Sequence, residues 1–224
     1  MLLTNETLDF LNDLSKNNQR EWFHENKNRY EPVWQGMKSL VSALIMGLSK
    51  FDPQIHQEID PGKCLFRIYR DTRFSLDKTP YKTWLGAGIS KNGRKLAGPE
   101  YYIHIQPNNQ SFIAVGYWQP EKTHLEAIRQ EIDYNGNELE AILSNLREQN
   151  PSIELGEYDK LKRPPQGYAA DHPYIDYLKL KSFTLQVSLS DKTVQSEDLL
   201  STILKHYEIM LPFKNFIHQA IGDE

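Results

Sequence analysis

The chain has 224 residues, of which 39% are hydrophobic and 25% charged, and its formal net charge is −4. This composition excludes a disordered chain, and no run approaches the roughly 18 consecutive apolar residues of a membrane-spanning helix. The first ten residues lack the basic region and apolar core of a secretory signal, so we expect a cytoplasmic protein with no membrane partner. The single cysteine, Cys64, excludes an internal disulfide.

The net charge conceals a strongly basic segment. Nine of the 26 Lys and Arg residues, but only two of the 30 Asp and Glu residues, lie between positions 62 and 95. That segment carries a charge of +7 and leaves −11 for the rest of the chain. A uniformly basic nucleic-acid-binding protein would not show this asymmetry, whereas a local anion site would.

The first fifty residues predict helices. Leu8, Leu11 and Leu14 recur at helical spacing, and a second helical stretch covers residues 20–30. Proline destabilises a helix interior by about 3 kcal/mol, so Pro32 predicts either a new helix near Glu31 or a kink there. An apolar stripe then predicts a buried helix face: Val33, Met37, Leu40, Val41, Leu44, Ile45 and Leu48.

Short β-branched and aromatic runs predict strands in the middle of the chain, at 64–70, 84–90, 101–106, 111–118 and 182–189. PNNQ separates the third run from the fourth, which predicts an antiparallel hairpin. The basic run at 91–95 predicts an exposed turn.

Helical patterns return after Pro120, at 121–132, 138–149, within 172–181, and at 196–221. Asn135-Gly136 interrupts the first pair, residues 150–172 are irregular, and Pro212 predicts a break or kink in the last helix. Strands joined by a hairpin rather than by crossover helices predict an α+β fold. We expect a single domain, residues 1–224, whose largely antiparallel sheet has a central hairpin and packs against N-terminal and C-terminal helices.

The stretch FRIYRDTRFSLDKTPYKT (66–83) is the leading candidate for an anion site, because guanidinium groups pair bidentately with phosphate or carboxylate. Its cations are Arg67, Arg70, Arg73, Lys78 and Lys82. On a regular strand Arg70 points away from Arg67 and Arg73, so the three converge only if the backbone bends. Asp71 and Asp77 offer the alternative that the arginines brace a loop, and a merely solvated face is the third interpretation.

Four further residues are candidates to shape the pocket. Tyr81 follows Pro80, which holds the loop extended. Tyr102 and His104 share one face of a predicted strand, and a histidine facing a ligand could transfer protons. Tyr168 lies in an irregular stretch, where functional residues are frequent. Catalytic residues stay unknown, and the absence of HExxH, GxGxxG and GxSxG patterns leaves no metal or cofactor predicted.

Several segments together resemble one family, the domain of unknown function 2461 family found in bacteria and fungi. The matching segments are NNQREWF (17–23), FRIYRDTRFSLDKTPYKT, YYIHI, GYWQP, RPPQGYAADHP and LKLKSF. The resemblance extends from about residue 5 to about residue 215. It implies a single domain of this length and carries no established activity. The GYW sequence departs from the more Gly-rich stretch expected there.

The leading functional hypothesis is a domain that binds a phosphate- or carboxylate-bearing ligand, such as a nucleotide, through the Arg/Lys cluster, with enzymatic activity left open. The alternative is a non-catalytic protein-interaction module in which the Arg/Asp pairs are structural. Nucleic-acid binding through interleaved cations and aromatic rings is a third hypothesis, which the net negative charge disfavours. The sequence does not predict the oligomeric state.

Overall fold

The structure is a computed structural model that describes residues 3–91, 93–94 and 97–222. These residues contain eight helices and five strands. The helices are α1 (Asn5–Lys16), α2 (Arg20–Glu25), α3 (Lys27–Leu48), α4 (Pro61–Cys64), α5 (Lys122–Gln149), α6 (Ile175–Leu178), α7 (Asp191–Val194) and α8 (Leu199–Ile221). The strands are β1 (Leu85–Ile89), β2 (Glu100–Ile105), β3 (Ser111–Tyr117), β4 (Glu154–Leu155) and β5 (Phe183–Leu189).

The five strands form one antiparallel sheet in the order β1-β2-β3-β5-β4. The predicted α+β class is therefore confirmed, and β2 and β3 are neighbours as the hairpin prediction requires. Asn108 and Asn109 take φ values of 65° and 57° in the turn, a left-handed conformation that asparagine tolerates better than most residues. Strand β4 was not predicted, since it falls within the irregular stretch 150–172.

The chain divides into two compact units, each assembled from three segments. The first comprises Met1–Arg94, Tyr102–Ile113 and Ser188–Lys205, and the second comprises Lys95–Tyr101, Ala114–Val187 and His206–Glu224. The single domain expected from the sequence stays a prediction.

In the first unit, α1 and α3 pack together and α3 contacts β1. All seven residues of the predicted stripe in α3 are buried, which confirms the helical periodicity. The boundaries differ from the prediction, because the chain turns at Asn26 and α3 already begins at Lys27. Pro32 therefore lies inside the helix, close enough to its start that its missing N–H costs one backbone bond of the second turn.

The predicted strand at 64–70 is present only as two isolated bridges, Leu65 with Ala87 and Tyr69 with Tyr81. Tyr69 lies four residues after Leu65, whereas Ala87 lies six residues after Tyr81. The second arm therefore bulges between the two bridges, and this bulge interrupts a regular ladder. We call residues 65–70 and 80–87 the paired arms, and residues 71–79 between them the basic loop.

In the second unit, α5 is kinked at Asn135, whose φ and ψ are −123° and 28°, which confirms the predicted interruption. A side chain at Gly136 would collide with the Tyr174 ring, 2.2 Å away, so the kink packs closely on the segment before α6. Helix α8 contains Pro212 and places Tyr207 against Tyr101 of β2, with ring centres 4.9 Å apart. The predicted turn at 91–95 includes residues 92 and 95, which lie outside the described part.

Candidate functional site

Arg70, the last residue of the first arm, and Arg73, in the basic loop, both contact carboxylates of the loop. Arg70 donates to the Asp77 carboxylate and the Thr79 hydroxyl. Arg73 donates two hydrogen bonds to the Asp71 carboxylate, from Nε at 3.0 Å and from a terminal guanidinium nitrogen at 2.7 Å. These contacts help to lower the pKa of each aspartate to about 2. For Asp71 the largest cause is the hydrogen bond from the Arg73 side chain, and for Asp77 it is the hydrogen bond from the Thr79 N–H. Both arginines therefore brace the loop, although the carboxylates are exposed rather than buried.

The rest of the basic loop is closed on itself and carries an apolar tip. Lys78 Nζ donates to the Thr72 carbonyl at 2.9 Å, so its charge also faces back into the loop. Phe74 is 95% exposed and Leu76 is 102% exposed, and the Arg73 guanidinium lies 5.8 Å from the centre of the Phe74 ring. A braced loop thus presents two apolar side chains to solvent.

Tyr81 anchors the second arm instead of facing solvent. Its ring stacks on Phe23 with centres 4.1 Å apart, and only 6% of the residue is exposed. Its backbone N–H donates to the Asn18 side chain at 3.0 Å, and the Asn18 amide donates to the Tyr81 carbonyl at 2.9 Å. This two-way contact fixes the arm against the segment between α1 and α2. Burial raises the pKa of Tyr81.

Lys82 and Arg67 belong to the paired arms and make no ion pair with a carboxylate among the described residues, although the charge of Arg67 acts on Asp71 from a distance. Lys82 Nζ donates to the carbonyls of Arg67 and Tyr69 and lies 5.3 Å from the centre of the Trp84 ring. Burial, followed by the positive charges of Arg67, Arg94 and Arg70, lowers the pKa of Lys82. The exposed Arg67 guanidinium makes no hydrogen bond or ion pair within the described part of the chain.

Aromatic rings flank these cations. Phe66 meets Trp84 and Tyr102 edge-on, at centre distances of 6.1 and 6.0 Å. The Arg94 guanidinium lies 5.2 Å from the centre of the Phe66 ring, and its Nε donates to the Leu65 carbonyl at 3.0 Å. We call Phe66, Arg67, Lys82, Trp84, Arg94, Tyr102 and His104 the cation–aromatic surface. All of them belong to the first unit.

Gly86 allows two of these rings to approach the sheet closely. A Cβ atom at this position would lie 2.9 Å from the Trp84 ring and 3.1 Å from the Tyr102 hydroxyl. It would also lie 3.2 Å from the carbonyl of Ile103. Since real Cβ contacts this short are rare, the glycine is required for the observed ring positions.

A short hydrogen-bonded row lies along β2. The Tyr102 hydroxyl is 3.1 Å from His104 Nδ1, and His104 Nε2 is 2.7 Å from the Gln106 side-chain oxygen. The imidazole lies between Trp84 and Phe112, with ring centres 4.7 and 4.8 Å away. Burial lowers the pKa of His104, which favours the neutral imidazole. The neighbours Tyr101 and Ile103 are fully buried on the opposite face, as the predicted alternation requires.

The family comparison agrees with the resemblance seen in the sequence. A family model described as "Conserved hypothetical protein (DUF2461)" matches residues 6–216. The chain belongs to the DUF2461 family. No curated protein and no solved structure matches this sequence.

The structure of this DUF2461 protein separates the predicted site residues into four groups. Arg67, Lys82, Tyr102 and His104 belong to the cation–aromatic surface, with Arg70 close enough to act on the charge of Lys82. Arg73 and Lys78 belong to the basic loop, and Tyr81 is packed in the core. Tyr168 belongs to the second unit, where its ring meets His172 edge-on at 6.0 Å.

Sequence reasoning missed Phe66, Trp84 and Arg94 as members of the surface. For Phe66 and Trp84 a signal existed, because both rings adjoin cations of the 66–83 stretch. Arg94 lies within the predicted turn at 91–95, and nothing in the pattern indicates that its side chain contacts the first arm. The described residues contain no group of His, Cys, Asp and Glu that could hold a metal ion, and no described helix is long and apolar enough to cross a membrane.

A cavity of about 480 Å³ in the second unit offers less chemistry than this surface. Its walls include Ile153, Leu155 and Tyr177. Lys160, a cation at this cavity, lies 3.3 Å from both Glu157 and Asp176. Its charge is therefore already compensated, and the cation–aromatic surface is the better candidate for an anion site.

Proposed function

We propose that this protein binds a ligand that combines a phosphate or carboxylate group with a planar ring, a nucleotide in the first instance, at the cation–aromatic surface. The observation that carries the proposal is the position of Arg67. Its exposed guanidinium has no acceptor among the described residues and acts electrostatically on Lys82.

An anion would relieve a repulsion that is built into this surface. Burial is the largest cause of the lowered pKa of Lys82, and the positive charges of Arg67, Arg94 and Arg70 lower it further. A phosphate that binds Arg67 would lower the local potential and favour the charged form of Lys82. Guanidinium groups bind phosphate bidentately, and such charge-assisted hydrogen bonds are roughly twice as strong as neutral ones.

The rings support a ligand with a planar part. Phe66, Trp84 and Tyr102 are each partly exposed and adjoin the cations, so a base can stack beside the point where its phosphate binds. Stacking of a nucleic-acid base on an aromatic side chain contributes about 1–3 kcal/mol. We also propose a cytoplasmic location, because a lone buried cysteine leaves no internal disulfide, the feature typical of oxidising compartments.

Calorimetric titration and thermal-shift measurements test this function. The contributions of the anion and of the ring to binding are separated by comparing four ligands: AMP, ribose 5-phosphate, inorganic phosphate and adenosine. We expect AMP to stabilise the protein most, and Arg67→Ala to weaken AMP binding about tenfold to hundredfold, the loss of a hydrogen bond to a charged group.

Arg73→Ala is the matched control, because Arg73 is also an exposed arginine but is held by Asp71. It should leave AMP binding unchanged. Equal binding by wild type and both variants, or no stabilisation by any of the phosphates, would contradict the proposal.

The exposed Phe74 and Leu76 favour a second candidate function, a protein-interaction module. The charges of the loop are paired, so its tip is close to neutral and would match an apolar cleft on a partner protein. The loop belongs to the segment of charge +7, which would favour carboxylates around the rim of that cleft. Phe74→Ser with Leu76→Ser should abolish a complex that Tyr134→Ser, a change at another exposed ring, leaves intact. A complex that survives the loop substitutions would exclude this role.

A further inference from the structure

We propose that Tyr102 is a base-activated tyrosine, the nucleophile of the cation–aromatic surface, with His104 as its base and Gln106 as the residue that positions His104. The inference rests on the direction in which the hydrogen bonds of this row run. The binding function proposed above uses none of the three side chains as reactive groups.

The amide of Gln106 fixes the direction of the row. Its Nε2 donates to the side-chain oxygen of Gln110, which assigns the other atom, Oε1, as the acceptor that faces His104. His104 therefore carries its proton on Nε2 and donates it to Gln106 at 2.7 Å. Nδ1 is left with a lone pair, and the Tyr102 hydroxyl donates to it at 3.1 Å.

Packing keeps this arrangement in place. His104 is 8% exposed and is held between the rings of Trp84 and Phe112, so its imidazole cannot turn freely. Tyr102 is more open, with a partly exposed side chain. A hydroxyl on a partly exposed tyrosine, a neutral base beside it and a third group that orients the base make up the arrangement of an activated nucleophile.

The proposal that the Tyr102 hydroxyl is reactive stands by itself, whereas the identity of the group that it attacks rests on the proposed function. If the ligand carries a phosphoryl group, Tyr102 Oη forms a bond to phosphorus while the bond from phosphorus to the leaving oxygen breaks. The tyrosine proton passes to His104 Nδ1, and the leaving oxygen, on the opposite side of phosphorus, takes a proton from solvent. The product is a phosphotyrosyl bond at residue 102, and Arg67 and Lys82 would stabilise the charge on phosphorus.

An aryl sulfonyl fluoride tests the nucleophile without a known substrate, since the phenol displaces fluoride to give a sulfonate ester and hydrogen fluoride. The intact protein is treated with the reagent, and labelled peptides are quantified by mass spectrometry over time. We expect Tyr102 to be labelled before Tyr134, which is 70% exposed. His104→Gln should slow labelling of Tyr102 about a hundredfold or more, since a general base typically contributes about a hundredfold to ten-thousandfold.

Variants at Gln106 separate positioning from folding. Gln106→Met should slow the labelling of Tyr102, whereas Gln106→Glu, which keeps an acceptor for His104 Nε2, should restore it. Equal labelling rates for Tyr102 and Tyr134 would overturn the proposal. So would a labelling rate of Tyr102 that neither His104→Gln nor Gln106→Met changes.

The two proposals fail separately. Selective labelling of Tyr102 in a protein that binds none of the phosphates would support the activated tyrosine and contradict the nucleotide site. Conversely, AMP binding by a protein in which Tyr102 reacts no faster than Tyr134 would support the nucleotide site and contradict the activated tyrosine.

Discussion

The basic loop and the cation–aromatic surface come from one short stretch of sequence, yet their cations have different partners. In the loop, Arg73 is held by Asp71 and Lys78 by the carbonyl of Thr72. In the surface, Lys82 faces backbone carbonyls and a Trp ring, and Arg67 has no acceptor among the described residues. Similar sequence charge therefore gives a braced loop in one region and an electropositive surface in the other.

The difference shows that a count of cations overestimates the charge available to a ligand. Asp71 lies two residues before Arg73 and also accepts its backbone N–H at 3.2 Å, so a local turn brings the two side chains together. Lys82 lies in the second arm, where its ammonium group contacts backbone carbonyls and the Trp84 ring. Substitutions in the two regions should therefore differ in the size of their effect on stability, in how that effect depends on salt, and in the pH range over which it is seen.

The largest effect is expected at Gly86, beneath the surface. Gly86→Ala would place a Cβ within 3.2 Å of the Trp84 ring, the Tyr102 hydroxyl and a backbone carbonyl. We expect a loss of about 1–3 kcal/mol in the free energy of unfolding, the usual cost of overpacking, together with weaker AMP binding. Urea denaturation measures the first and calorimetry the second.

Gly62→Ala is the control for this substitution. Its Cβ would meet only the carboxylate of Asp60, at 3.2 Å, and that side chain can move. If Gly62→Ala proved as costly as Gly86→Ala, the close approach of the two rings would not be the cause.

The next effect concerns His104 and tests whether its imidazole is neutral in the folded protein. Burial lowers the pKa of folded His104 below its ordinary 6.5. Below about pH 6.5 the unfolded chain therefore binds a proton that the folded chain does not, and stability falls as the pH falls, with a slope of at most about 1.4 kcal/mol per pH unit from this residue.

Unfolding measured between pH 5 and pH 7.5 should show this slope, and His104→Gln should lessen it. The groups packed on the imidazole, Trp84, Phe112, Tyr102 and Gln106, carry no charge in this range, so the slope belongs to His104. An unchanged slope in the variant would mean that His104 is protonated in the folded protein.

The sequence predicted those features that depend on neighbours along the chain. The stripe of α3, the turn at Asn108-Asn109 and the alternation of Tyr101 with Tyr102 all follow from helical or strand periodicity. The family assignment followed from the long 66–83 motif. Periodicity also placed Tyr102 and His104 on one face, which is half of the proposed nucleophile.

The remaining features depend on contacts that periodicity does not encode. The bulge in the second arm, which carries Trp84, depends on how that arm pairs with residues 65–70. Arg94 reaches Phe66 only after the chain has returned to the first arm. The pairing of Arg70 with Asp77, seven residues away, was one of the alternatives but could not be chosen before the path of the loop was known.

A smaller effect is expected from Arg70, beside the basic loop, and from Arg73 within it, and it should depend on salt. Arg70 is the less exposed, at 26% of its side chain, and joins the base of the loop to Asp77 and Thr79. Arg70→Ala should lower the free energy of unfolding by less than Gly86→Ala does, with a smaller difference in 1 M salt, where exposed charges are screened. Arg73→Ala should lower the free energy of unfolding least, because the Arg73 side chain is 77% exposed. A larger loss from Arg73→Ala than from Arg70→Ala would reverse this order.

The smallest effect lies at the loop carboxylates and is best measured residue by residue. NMR titration of the carboxyl carbons should give a pKa of about 2 for both Asp71 and Asp77. Because these values lie below the ordinary one, each pair stabilises the fold above about pH 4 and loses that contribution as the pH falls towards 2. Arg73→Ala should raise the pKa of Asp71 and leave Asp77 unchanged. Arg70→Ala should raise the pKa of Asp77 only in part, because the Thr79 N–H still donates to that carboxylate at 2.9 Å. If either substitution moved both aspartates together, the loop would be one shared charge network, and Arg70 could be released to a ligand by rearrangement within the loop.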